Sequence, residues 1–211
     1  LVDNTPTPGA ENSSPVSTPI VLNELLAAPL GGEGPALELF NRSYAPVSLD
    51  GFRLCTVLPG ALGAFSLAPI PPGAVIQPKS FVVLRLDGGP GLAGDIPIPG
   101  LPPLDPAGGE LALLLTPNVD NPNNYLAYIG WGSAAPFLHP KAITAGIWMG
   151  DALVDVSAVT AGSSMTFEGT GLGAAAWRID ARPSLGDVNE ERPPEWNFVR
   201  SNCNQDEKVD I

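Results

Sequence analysis

A histidine base, a pair of facing carboxylates and a cluster of hard oxygen ligands are the three chemistries this 211-residue chain has the side chains to assemble. The single histidine, His139, lies in Phe137-Leu138-His139-Pro140, with Ser163 and Ser164 further along. A hydrolytic triad needs such a base beside an exposed serine, and no Gly-x-Ser-x-Gly elbow presents either hydroxyl. His139 therefore reads as a loop histidine without catalytic work. One His and two Cys are too few for a His/Cys metal centre. Glu24 and Glu38 fall on adjacent expected strands, where paired carboxylates could do acid–base work. The simpler reading places each at a strand end, capping backbone N–H groups or pairing with Arg42, Arg53 or Arg85. No aromatic-lined glycoside cleft can be located, so no catalytic residue is assigned.

Calcium is the one ion worth considering. Asn118, Asp120, Asn121, Asn123 and Asn124 bring five oxygen-bearing side chains into seven residues, as a hard cation requires. Only one of the five is charged, and Asn-Pro and Asp-Asn pairs are ordinary turn chemistry, so a turn is expected and no cofactor. Gly60, Gly63 and Gly169-Thr170-Gly171-Leu172-Gly173 lack the Lys-Ser/Thr of a phosphate loop and read as turns. Asn12-Ser13-Ser14 and Asn41-Arg42-Ser43 fit the N-glycosylation pattern, with Asn12 the better acceptor. Trp131, Trp148, Trp177 and Trp196 could form a sugar platform but read mainly as core or interface anchors. Cys55 and Cys203 admit one disulfide, stapling the tail to the domain, or two partly buried thiols; spacing does not decide between them.

The elements that must position these residues follow from composition. With 24 Gly and 25 Pro, long helices are broken nearly everywhere, because Pro lacks an N–H and Gly costs backbone entropy. Hydrophobic residues at 44% still supply a core, so short strands joined by many turns remain: an all-β fold. The net charge of −12, without clustered Lys or Arg, argues against nucleic acid as a partner. No apolar stretch reaches the length of a membrane span.

Residues 1–19 are rich in Pro, Ser, Thr and Asn and read as an extended arm or linker. Strands are expected at 20–26, 36–41, 51–55, 64–67, 81–86, 110–115, 126–129, 153–156 and 164–167, separated by Pro/Gly-rich loops. The sandwich should span 20–189, and 190–211 should form a charged C-terminal tail. Because the sequence opens on Leu1 rather than Met, a removed leader or larger precursor is expected.

Asn23-Glu24, then Glu38-Leu39-Phe40-Asn41, then Leu49-Asp50-Gly51-Phe52-Arg53-Leu54 resemble the opening strands of the lamin tail domain. Residues 73–86 look like that family's Pro-Gly turn and hydrophobic strand, and 126–133 like its later strand. Residues 177–189 resemble its closing Trp and Ser-x-Gly-x-x-Asn turn. Thr7-Pro8-Gly9-Ala10-Glu11-Asn12 looks like the same closing turn, although chance in a polar linker is the simpler account. The resemblance covers about 170 residues in the family's order. It implies an immunoglobulin-like β-sandwich, a secreted or surface location, and binding or display without catalysis.

Two functions are expected to compete. One is an extracellular structural subunit, assembling with copies of itself or other surface proteins into a filament or surface layer. The other is a monomeric adhesion or carbohydrate-binding module released from a larger secreted protein. The first rests on the arms: an extended arm can add to a neighbour's sheet edge. Prolines confine such pairing in residues 1–19 to Leu1–Thr5 and Gly9–Ser14.

Overall fold

The computed structural model describes residues 19–30, 34–58, 64–88, 91–133, 136–187 and 189. The arm before Pro19 and the tail from residue 190 lie outside these, and with them Asn12, Gly60, Gly63, Trp196 and Cys203. Twelve strands are present among the described residues: β1 (Ile20–Leu26), β2 (Ala36–Asn41), β3 (Val47–Ser48), β4 (Arg53–Val57), β5 (Ser66–Pro69), β6 (Val75–Ile76), β7 (Phe81–Arg85), β8 (Ile96–Pro97), β9 (Gly108–Leu114), β10 (Tyr125–Gly132), β11 (Ser164–Phe167) and β12 (Trp177–Asp180). They form a six-stranded sheet in the order β12-β11-β1-β2-β7-β8 and a four-stranded sheet β10-β9-β4-β5. The pair β3-β6 stands apart. Neighbours are antiparallel except β7 and β8. The expected all-β sandwich is what the chain forms.

Alternation decides what each strand buries. Leu37 and Leu39 of β2 enter the main core with Leu25, Leu54, Leu84, Leu113 and Ile129, all fully buried. Each such side chain contributes about 1.5–3 kcal/mol by leaving water. The intervening Ala36 and Glu38 point to the other side of the larger sheet, and they are buried too. Ala36, Leu26 and Val83 form a second small cluster there, covered by Leu185. A loop from the end of the chain thus lies over the outer face of β1 and β2. That loop explains why β2 is buried on both faces.

Among the described residues, the expectation that Pro and Gly exclude helix holds with one α-helical exception. A six-residue helix, α1 (His139–Thr144), forms within the insert after β10, so His139 begins a helix rather than sitting in a loop. Pro140 lies in the first turn, where its fixed φ suits the helix and its missing N–H is not needed. The strand expected at 153–156 shrinks to one bridge between Val154 and Trp131. β12, in turn, was hidden in what reads as a closing turn.

Candidate functional site: a carboxylate pair under the closing loop

Glu24 and Glu38 are register partners on β1 and β2, in mid-strand rather than at strand ends, and neither is exposed. Between Leu22 and Glu24 the register slips, leaving Asn23 as the extra residue of a bulge. A bulge leaves main-chain groups without ladder partners, and the closing loop supplies them. Asn189 Nδ2 donates to Asn23 O at 3.3 Å and to Phe167 O at 3.1 Å. Asn23 Nδ2 donates to Glu38 Oε1 and, at 3.3 Å, to Asn189 Oδ1.

The carboxylates hold the loop from beneath. Glu24 accepts from Ser164 Oγ at 2.5 Å, from Ser184 N–H at 3.0 Å, and lies 3.0 Å from Ser184 Oγ. Glu38 accepts from Gly186 N–H. These are N–H caps, as the sequence suggests, but Arg53 and Arg85 take no part. Arg53 donates to the carbonyls of Gly51 and Phe52, and Arg85 pairs with Asp95 at 2.6 Å.

Burial raises the Glu24 pKa above its ordinary value, against the hydrogen bonds from Ser164 and Ser184, with Asp180 adding to the rise. The geometry has room for a proton on Glu24. Ser184 Oγ lies near both Glu24 Oε2 and, at 2.9 Å, Asn189 Oδ1, and it has one hydrogen to give. A proton on Glu24 Oε2 lets the chain run Glu24 to Ser184 to Asn189 with every link donated once. Asn23 Oδ1 is left without a partner among the described residues.

A third carboxylate, which the sequence does not single out, fastens the insert. Glu110 of β9, fully buried, accepts from Tyr128 OH at 2.9 Å. It also accepts from the N–H groups of Phe137, Leu138 and His139 at 2.6, 3.0 and 2.8 Å. Its signal was a lone charge directly before the apolar run Leu111–Leu115. Burial and the neighbouring Glu110 both raise the Tyr128 pKa. The His139 ring stacks on Tyr128 with centroids 6.0 Å apart, meets Trp148 edge-on, and bonds Gly150 O at 3.0 Å. Its partner is therefore a carbonyl, while Ser164 bonds Glu24 and Ser163 bonds Thr160.

The remaining sequence candidates are distributed elsewhere. Asn118 Oδ1 accepts from Asp120 N–H at 3.1 Å, and Asn121 Oδ1 accepts from Asn123 N–H at 3.1 Å, capping a 3-10 turn over Pro122–Asn124. Asn124 Nδ2 donates to Thr116 Oγ1 and Asn118 O, both at 2.8 Å, and Asp120 pairs with Lys141 at 3.1 Å. These groups make a turn, and among the described residues no group of three or more His, Cys, Asp or Glu could hold a metal ion. Asn41 is wholly buried; its amide donates to Ala45 O, Ile76 O and Gln77 O. Trp131 and Trp148 are core anchors, donating to Asp105 O and Ala152 O, whereas Trp177 is half-buried. Cys55 is enclosed in the core, where burial pushes its thiol up to about 12. Gly169, Gly171 and Gly173 all adopt positive φ, and a Cβ on Gly173 would strike Met149 O, so this run is a turn.

Fold and site together define an all-β sandwich whose outer face is sealed by a loop clamped on buried carboxylates. No family model matches the chain, and no curated protein matches it. Among solved structures, a DUF4876 family protein from Bacteroides thetaiotaomicron is similar at 12% identity and a TM-score of 0.39. The similarity covers 56% of this chain and 55% of that one, about half the length of each.

Proposed function

We propose that this is a non-catalytic extracellular subunit, a lamin-tail-like sandwich that joins copies of itself in a filament or surface layer through its terminal arms. The observation that supports the reading is how the described sandwich is closed. Asn189 locks the closing loop to β1 and β11, and the larger sheet's outer face is covered by residue 185. Eighteen residues precede Pro19 and twenty-two follow Asn189, and in this reading they supply the contacts between copies. Head-to-tail contacts of that kind are heterologous and propagate.

The use of polar side chains supports the non-catalytic part. Glu24, Glu38, Glu110 and His139 are buried and bonded to other parts of the same chain. Sedimentation and negative-stain microscopy of the full chain test the proposal. Large regular assemblies are expected; a compact monomer at all concentrations would favour the released adhesion module instead.

A further inference from the structure

An unpaired sheet edge is a template for another strand unless something blunts it. The two main sheets have four edges: β12 and β8 on the larger, β10 and β5 on the smaller. Three are closed. Along β10 the insert bonds the edge, Val154 N–H donating to Gly130 O and Gly132 N–H to Val154 O, both at 2.9 Å. At β8, Ile98 N–H donates to Arg85 O at 2.7 Å, so Pro97, one residue earlier, faces outward. At β5, Ile70 N–H donates to Phe52 O at 3.0 Å, which turns Ala68 toward β4 and Pro69 outward. In both cases a proline sits where its missing N–H denies a partner strand a donor.

β12 is built differently. Glu168 N–H donates to Ala176 O at 2.9 Å, so the even-numbered residues face β11 and Trp177 and Ile179 turn their main chain outward. Trp177 N–H closes a 3-10 turn onto Ala174 O. Ile179 N–H, Ile179 C=O and Trp177 C=O remain as the edge's offering. β12 contains no proline, and no strand pairs with its outer side among the described residues. The side chains of Trp177 and Ile179 pack on the core yet stay half-exposed, as the flank of an unfinished sheet would.

Resting on the self-assembly reading, we infer that the outer edge of β12 receives the tail of a second copy of this chain, residues 195–201 adding as a strand. Glu195-Trp196-Asn197-Phe198-Val199-Arg200-Ser201 has neither Pro nor Gly and is rich in strand-favouring residues. As a strand it alternates, with Trp196 and Phe198 on one face, able to extend the apolar face of Trp177 and Ile179. The amino-terminal stretch Gly9–Ser14 has no large apolar side chain. Main-chain bonds alone gain little over water and do not offset the cost of immobilising two bodies, so the segment with apolar anchors is the better donor. Between chains of net charge −12, the 195–201 segment is itself neutral, with Glu195 and Arg200, and the β12 edge carries Arg178, paired with Asp180 at 3.2 Å, and Arg182, so this contact meets less repulsion than the average of the surface. The choice of a second copy over the chain's own β12 edge follows from the self-assembly reading.

Two full-length variants test this: Phe198→Pro spoils the donor and leaves β12 intact, and Ile179→Pro spoils the edge and leaves the tail intact. Sedimentation velocity should show each alone as a monomer. A mixture should form capped 1:1 dimers and nothing longer, since only one productive pairing remains. Circular dichroism and melting of Phe198→Pro should match those of dissociated parent. Parent-like assembly by Phe198→Pro would overturn the inference while leaving self-assembly standing. So would a lowered melting temperature in the monomer, which would place the tail on its own sandwich, or a Cys55–Cys203 bond found by non-reducing peptide mapping. A parent that never assembles would remove the underlying reading itself.

Discussion

Glu24 shows how an ionisable residue can be held at the centre of a β-sheet. Its folded pKa is raised, so between the ordinary value of 4.5 and the raised one the folded chain binds more protons than the unfolded chain. Stability from this group is therefore fullest at low pH and declines as pH rises through that window. Glu24→Gln removes the titration. The variant's stability relative to the parent should improve as pH goes from about 4 to about 8 in urea melts. A constant difference would contradict a raised Glu24 pKa, and Glu38 and Asp180, the neighbouring carboxylates, are present in both proteins. Asn189→Ala should cost about 3 kcal/mol, because the carbonyls of Asn23 and Phe167 lose their donor inside the protein. Cys55 should resist thiol reagents near neutral pH until the chain unfolds, since burial holds the thiol protonated.

The loops at the scale of elements are fixed by the same device, a carboxylate reaching across to main-chain N–H groups. Glu110→Ala strips acceptors from Tyr128 and from three consecutive N–H groups at the start of α1. It should cost roughly 3 kcal/mol or more. It should also release hydrogen-exchange protection at residues 137–139 before the rest of the sandwich; uniform loss would contradict a local clamp. Much of this level was legible in the sequence. Period-two alternation located β1, β2, β7 and β11 nearly to the residue, because each has one or both faces buried. Asn23-Glu24, Glu38 and Ser184 to Asn189 were each visible as motif residues, yet their meeting depends on contacts about 150 residues apart, which no local pattern encodes. α1 was missed because the Pro content argued against helix, and Pro140 occupies the one turn where that argument lapses. β12 is four residues long and starts directly after a 3-10 turn, so its alternation had little length in which to show. Removing residues 1–19 should weaken assembly while the sandwich stays folded; unchanged assembly would deny that arm any role.

The chain is an acidic sandwich in which, among the described residues, three sheet edges are blunted and β12 has no strand on its outer side. Net charge of −12 keeps separate copies apart at low ionic strength. Assembly should therefore strengthen from low to moderate salt, where repulsion between like-charged bodies is screened. Weakening over that range would mean that ion pairs, rather than strand addition and apolar contact, hold the copies together. The most direct measurement of the central claim is electron microscopy of the full chain at physiological salt, alongside Phe198→Pro. The account predicts regular extended assemblies of the parent and dispersed single particles of the variant. Dispersed monomers of the parent under the same conditions would contradict it.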